Sequence, residues 1–296
     1  MHRHKNRQTD SPSPKPGRRA PPAPGTGPRG SVPPDQSRPG VGRGPSAFWL
    51  WGRHAVLAAI ANPRRRLERL VALDEHLPIL EKAAAAAPSA VPRVERLDRR
   101  ALATLLPQDS VHQGLAALVR PLPATDLDDL PGLSRGNSHA ELLLVVLDQV
   151  TDPRNVGAVL RSAQAFGAAA VVVQDRHAPE ESGTLAKAAS GALEAIPMIR
   201  VTNLARTLRE LQDQGVSCVG LAGDAELSLD QHRVAGRLAL VLGAEGDGLR
   251  RLVRETCDVL IRIPIAAGAD SLNLSAAAAI ALYACACRRG PAQDVP

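Results

Sequence analysis

Six side chains of this chain have types and spacing that could do chemistry: Asn155, Arg161, Glu245, Ser271, Asn273 and Ser275. They lie in three segments in fixed order, Leu147–Arg161, Leu242–Gly248 and Asp270–Ser275, and each segment follows an apolar run. Amide, guanidinium, carboxylate and hydroxyl groups held against glycine-rich backbone suit a polar, partly charged ligand. They do not suit a core, where unpartnered polar groups are costly.

Each segment also has an ordinary reading. In the first, Asp152 is a good helix N-cap and Pro153 a good first helical residue. Val156, Val159, Leu160, Ala163 and Phe166 make a buried face, Gly167 stops the helix, and Arg161 falls off that face. Asn155 sits in the first turn, beside the carboxyl end of the preceding strand, where α/β proteins bind ligands. The second segment, Gly243-Ala-Glu-Gly-Asp-Gly248, could be a plain strand-to-helix turn, which explains its glycines but not Glu245. Its G-x-x-G-x-G spacing departs from the G-x-G-x-x-G of dinucleotide sites, which argues against a nicotinamide or flavin. In the third, Ser271, Asn273 and Ser275 precede an Ala-rich helix, where one such residue is ordinary capping and three are more than a cap needs.

The elements that must position these residues alternate. Leu142–Leu147 is an uninterrupted apolar run, as expected of a strand buried on both faces of a parallel sheet. Further strands are predicted over 170–173, 217–221, 238–242 and 259–263, with helices over 153–166, 203–214, 249–255 and 275–288. Ala276–Cys287 has no charged residue, so that helix should be buried all round, in part against a second subunit. Upstream, a helix over 53–62, a strand over 67–73, helices over 83–87 and 96–106 and a strand over 111–119 make a smaller α/β unit. The expected organisation is therefore a tail at 1–47, a small unit at 48–120, a linker at 121–139 rich in Pro, Gly and Asp, and a larger unit at 140–290.

Composition narrows the function. Residues 1–47 hold eleven Pro, seven Gly and a net charge of +7, with almost nothing to bury, so they should be disordered. They serve either as a solubilising arm or as an electrostatic arm for a polyanion. Residues 48–120 carry +4 and 140–290 carry −2, so a polyanion would meet the N-terminal parts first. Aromatics are 2% of the chain, leaving little for base stacking. Cys218, Cys257, Cys285 and Cys287 form no C-x-x-C pair and have no His at metal-ligand spacing, so neither a metal nor a disulfide framework is expected, which fits a reducing cytosol. No run approaches the ~18–20 apolar residues of a membrane span. With no apolar stretch after its basic start, the chain is not expected to carry a secretory signal, while the Arg-rich, acid-poor tail leaves an organelle transit peptide open. His54, His76, His139, His177 and His232 have no partner pattern, and no Ser-His-Asp arrangement is legible. His112, beside Gln113 and Gly114, could be structural or could touch RNA.

Together, the three segments resemble the SpoU/TrmH group of RNA ribose 2′-O-methyltransferases, within the knotted SPOUT superfamily, over residues 48–290. Val111-His-Gln-Gly114 and Trp51-Gly-Arg-His-Ala-Val56 resemble the branch that methylates a guanosine of 23S rRNA. Leu274 stands where the family more often has Val. The resemblance implies S-adenosylmethionine as methyl donor, a C-terminal domain with a deep trefoil knot, a homodimer, a ribosomal-protein-like RNA-binding unit at 48–120 and a cytoplasmic enzyme without metal. It places Gly243, Ile263 and Leu272 along the donor pocket, and Asn155, Arg161, Glu245, Ser271 and Asn273 around the reacting ribose. The family scheme gives Arg161 the hydroxyl proton. Since free arginine stays protonated, Arg161 would act either by clamping the neighbouring phosphate or with a pKa lowered in the assembled site. The same chemistry on tRNA, and a non-catalytic RNA-binding or ribosome-assembly factor on the same fold, are the alternatives.

Overall fold

The computed structural model describes residues 46–130, 141–231, 236–266 and 268–289. The tail as far as residue 45, residues 131–139 of the expected linker, and His139 and His232 lie outside the described residues.

The first sheet is built from β1 (Phe48–Trp51), β2 (Leu67–Ala72), β3 (Val94–Arg96) and β4 (Leu115–Val119), with helices α1 (Arg53–Ala61), α2 (Leu77–Ala85) and α3 (Arg99–Thr104). Its strand order is β1-β4-β2-β3, antiparallel except for the β2–β3 pair. Three expectations shift here. The helix predicted over 83–87 starts already at Leu77, with Pro78 accommodated in its first turn, and ends at Ala85. The helix predicted over 96–106 starts only at Arg99, because Asp98 caps it by accepting a hydrogen bond from the Ala101 amide at 2.7 Å and Val94–Arg96 pair with β2 instead. The strand predicted over 111–119 starts only at Leu115, because Gln113 (φ 53°) and Gly114 (φ 75°) are both left-handed and turn the chain.

The second sheet has β5 (Leu142–Leu147), β6 (Ala170–Gln174), β7 (Met198–Val201), β8 (Ser217–Leu221), β9 (Leu227–Ser228), β10 (Arg237–Leu242) and β11 (Val259–Arg262). All its pairings are parallel, in the order β7-β6-β5-β10-β8-β11-β9. Helices α4 (Pro153–Ala165), α5 (Gly183–Ala189), α6 (Ala192–Ala195), α7 (Leu204–Asp213), α8 (Arg251–Thr256) and α9 (Leu274–Arg289) cover it. β5 shows why its apolar run has no alternation. Leu143, Val145 and Leu147 face one layer with Val156 and Leu160 of α4 and Leu282 of α9. Leu142, Leu144 and Val146 face the other, with Leu204, Leu208 and Leu211 of α7 and Val253 of α8. Each fully buried Leu or Val contributes about 1.5–3 kcal/mol, so this strand anchors both layers.

The first of these layers continues without a break through Leu185, Ala189 and Leu193 into Leu50, Val56 and Ile60 of the first sheet. Residues 121–130 are tied down as well. Arg64 donates to the Pro123 carbonyl and Thr125 Oγ1 at 3.2 and 2.9 Å, and Leu130 is buried in the second layer. α9 is less enclosed than its composition suggests: Ala278, Ala281, Leu282 and Cys285 are buried, but Ile280 and Tyr283 are 40% and 58% exposed.

Candidate active site

Chain order runs outward from β5 through β6 to β7, then resumes on the other side of β5, so the sheet reverses direction between β5 and β10. Such a reversal leaves a crevice at the carboxyl ends of the two strands. Leu147 and Leu242 are register partners there, so the first and second segments leave the sheet side by side. The turn after β10 is tight. A Cβ on Gly243 would lie 2.0 Å from the Gly248 carbonyl carbon and 2.3 Å from the Leu249 nitrogen, both of them backbone. Gly246 (φ 84°) and Gly248 (φ 66°) are left-handed, and the space a Cβ would fill at either is open, leaving bare backbone on one side of the turn.

Three of the predicted side chains meet there. Glu245 Oε1 accepts from Asn155 Nδ2 at 3.1 Å, from Asn273 Nδ2 at 2.5 Å and from the Leu274 amide at 3.1 Å. Asn273 Nδ2 also donates to Asn155 Oδ1 at 3.1 Å. Asn273 Oδ1 caps α9, accepting from the Ser275 amide at 2.9 Å and Ser275 Oγ at 2.6 Å. One carboxylate oxygen thus joins the first turn of α4, the turn after β10 and the start of α9. The amides it binds cannot rotate freely, which is how a site holds polar groups ready for a ligand.

The other predicted residues stay outside this cluster. Arg161 is exposed, six residues beyond Asn155 on α4, and makes no hydrogen bond or ion pair with another described residue. Ser271 is exposed in the segment before α9. Gly243 opens the glycine turn, Ile263 follows β11 half-buried, and Leu272 is 36% exposed beside Asn273.

Asp148 was missed. It is fully buried directly after β5, accepting from the Arg250 amide at 2.9 Å and Arg250 Nε at 2.8 Å, and its own amide donates to the Leu242 carbonyl at 2.8 Å. It pins the end of β5 to the far end of the glycine turn. An acidic residue directly after a six-residue apolar strand was the available signal. His112 has a local role: its Nδ1 accepts from the Gly114 amide at 3.0 Å. Burial, and then the charge of Arg99, push its pKa below the usual histidine value.

Among the described residues no group of three or more His, Cys, Asp or Glu side chains could hold a metal ion, and no helix is long and apolar enough to cross a membrane.

Known proteins are similar to this chain over both sheets. Residues 142–283 match the SpoU rRNA Methylase family, and residues 49–125 match the RNA 2′-O ribose methyltransferase substrate binding family. The chain is 44% identical over 244 residues to the 23S rRNA (guanosine-2′-O-)-methyltransferase RlmB of Vibrio vulnificus strain CMCP6, covering 79% of this chain and 94% of that protein. Against the Escherichia coli K12 protein of the same name it is 50% identical over 174 residues, covering 59% of this chain and 71% of that one. Among solved structures, the SpoU methyltransferase AviRb of Streptomyces viridochromogenes in complex with AdoMet shares the fold, with a TM-score of 0.68 at 24% identity over 84% of this chain and 92% of that one. A structure described as an RNA 2′-O ribose methyltransferase has a TM-score of 0.65 at 27% identity, over 82% and 88% of the two chains.

Proposed function

The chain belongs to the SpoU rRNA methylase family, and from that premise we propose that it transfers a methyl group from S-adenosylmethionine to the ribose 2′-OH of a guanosine in 23S rRNA. The observation that carries this reading is the meeting of Asn155, Glu245 and Asn273, one from each of the three segments, at the crevice between β5 and β10.

The residues fit the donor. Open backbone at Gly246 and Gly248, the tight turn at Gly243 and the apolar side chains of Ile263 and Leu272 offer amide groups and a greasy wall to an adenosine. S-adenosylmethionine, when bound, supplies an already activated sulfonium methyl, so the protein's main task is positioning. Asn155, Asn273 and Ser271 orient the ribose, and Glu245 holds the two amides in place. The exposed guanidinium of Arg161 clamps the phosphate next to the reacting ribose. Its charge also favours loss of the hydroxyl proton.

The reading extends to a homodimer that covers the open side of α9. Ile280 and Tyr283 are exposed there, and Phe166 from the end of α4 meets Tyr283 edge-on at 6.0 Å between ring centres. It extends to the trefoil knot as well. β11 lies on the far side of β8 from β10, yet α9, which follows it, returns to pack against α4. A 23S rRNA substrate puts the enzyme in the bacterial cytoplasm.

The test is methyl transfer from labelled S-adenosylmethionine to rRNA and, separately, to tRNA from a strain lacking this protein, with ribose methylation mapped along each. One new 2′-O-methylguanosine in 23S rRNA, absent with Arg161→Ala, is the expected result. Label in tRNA alone would overturn the substrate. Cofactor binding with no label in either RNA would favour the assembly-factor reading.

A further inference from the structure

The two sheets meet through a built interface that the methyl-transfer site does not use. At its centre Arg65, in the loop between α1 and β2, has no exposed side-chain surface. Its Nε donates to both oxygens of Glu194 at 3.0 Å, and its Nη1 donates to Glu181 Oε2 at 2.8 Å and to the Arg120 carbonyl at 2.7 Å. Asn62 Nδ2 adds a bond to Glu194 Oε2 at 2.8 Å, and the Leu122 amide one to Glu181 Oε1 at 3.2 Å. Arg65, Asn62 and Arg120 belong to the small unit, whereas Glu181 precedes α5 and Glu194 lies in α6.

Glycines let the surfaces close around this clamp. A Cβ on Gly183, the first residue of α5, would lie 1.8 Å from the Trp51 ring and 2.3 Å from the Trp49 carbonyl oxygen. At the other edge Gln113 Oε1 accepts from Lys187 Nζ at 2.9 Å and from the Arg53 amide at 3.2 Å. Behind α5, a Cβ on Gly157 of α4 would lie 2.5 Å from the Leu185 carbonyl oxygen, so α4 and α5 touch backbone to backbone two residues from Asn155. The small sheet therefore stands on α5, and α5 on the helix that carries Asn155 and Arg161.

A buried ion triad is weak evidence of stability, because apolar residues of similar volume often serve as well or better. What it adds is direction: a guanidinium fork with fixed partners permits one angle between the bodies it joins. We propose that Arg65, held by Glu181 and Glu194, is a positioning residue that fixes the small sheet at the angle which decides which ribose of a bound RNA reaches the methyl-transfer site. This rests on the methyltransferase reading above for its substrate, but not for the clamp itself.

Two variants test it in the full chain. Arg65→Met combined with Glu181→Gln and Glu194→Gln removes the clamp without stranding a buried charge, and leaves an acceptor for the Leu122 amide. Gly183→Ala wedges the interface with the clamp intact. Hydrogen exchange without RNA reads the interface directly: amides of α1 and α5 should exchange faster in both variants, while those of β5 and β10 stay protected. Unchanged exchange at α1 and α5 in both variants would overturn the clamp whatever the enzyme's substrate is.

Methyl transfer reads the consequence on two substrates, a 23S rRNA fragment long enough to span both units and an oligonucleotide around the target too short to reach the small sheet. On the long fragment kcat/KM should fall about 10²-fold, as for a misplacement of about 1 Å, and label should spread to neighbouring riboses. On the short one it should match that of the unaltered enzyme. An equal loss on both would mean general damage and overturn the proposal, and so would full activity with one labelled ribose on the long fragment. If the unaltered enzyme labelled neither RNA, the methyltransferase reading would fall, and hydrogen exchange would still judge the clamp.

Discussion

Two polar hubs organise this molecule, and they differ mainly in what surrounds them. Around Glu245, one carboxylate oxygen collects two side-chain amides and a backbone amide on an open rim. Around Arg65, one guanidinium collects two carboxylates and a carbonyl with no exposed surface of its own. Both join segments far apart in sequence. On the segments that carry the first, Arg161 and Ser271 face solvent, where a ligand can take them up. The second leaves nothing for a ligand and can act only by holding parts still. Exposure separates chemistry from mechanics here, more than residue type does.

The sharpest way to break this contrast is to remove Arg161, which belongs to the open hub's surroundings and to no structural network. Arg161→Ala should lower the methyl-transfer rate by about 10²–10⁴-fold, the range of a positioned proton-transfer or charge-stabilising group, with thermal stability and cofactor affinity unchanged. Arg161→Lys should recover little of it, since a lysine cannot form the planar fork. Near wild-type rates with lysine would exclude the forked phosphate clamp and leave only the charge.

The buried hub predicts the opposite pattern. Arg65→Met alone strands two buried carboxylates and should cost about 3–5 kcal/mol of stability, seen as a fall in the denaturant midpoint. Burial by itself opposes the charge on Arg65, but hydrogen bonding and attraction from Glu194, then from Glu181, outweigh it and raise its pKa above the usual value. It therefore stays charged at any working pH.

A milder change probes the open hub. Glu245→Gln keeps an oxygen acceptor but removes the charge from three hydrogen bonds, and should cost about 1.5–3 kcal/mol at most, with a larger loss of activity than of stability. If stability fell and activity did not, the Glu245 cluster would be a staple rather than a site.

These hubs were legible in the sequence to different degrees. The open one could be listed residue by residue, because its members sit at strand ends and helix starts that composition marks clearly: Asp152 accepts from the Arg154 amide at 2.8 Å as the cap of α4, and Gly167 (φ 70°) ends it. That Asn155, Glu245 and Asn273 touch was not legible from spacing, since they are 90 and 28 residues apart along the chain and only the order β5-β10 makes them neighbours. The buried hub was not seen at all. Arg65 lies among Arg64, Arg66 and Arg69, where it looks like one more surface charge, and its acidic partners lie 116 and 129 residues away. The helices bearing or adjoining those partners, α5 and α6, were also missed, because Gly-Thr-Leu-Ala-Lys-Ala-Ala shows no clear polar face. β7 escaped because it is four residues long, with only Ile199 fully buried.

The smallest effect belongs to the thiols, which neither hub uses. Burial first, and then the negative charge of Asp258, push Cys218 and Cys257 up to about 12 from a usual 9.0. The folded protein therefore keeps protons that the unfolded chain gives up, and this contribution is lost as pH rises from about 9 towards 12. Denaturant midpoints should be level from pH 7 to 8.5 and decline above pH 9, less steeply with Cys218→Ala. At pH 8 a thiol reagent should leave the buried Cys218 and Cys285 unlabelled while the protein stays folded. Early loss of Cys218 to the reagent would contradict that burial.

The contact between Gly183 and the Trp51 ring bears on how such proteins diverge. An indole on one unit and a missing side chain on the other form a single shared trait, written in two places 132 residues apart. Neither can drift alone: a larger residue at 183 needs a smaller one at 51, and the reverse exchange leaves a hole. Chimaeras that take the first sheet from one relative and the second from another should therefore fold and assemble only when the residues the two parents bring to positions 51 and 183 are complementary in size.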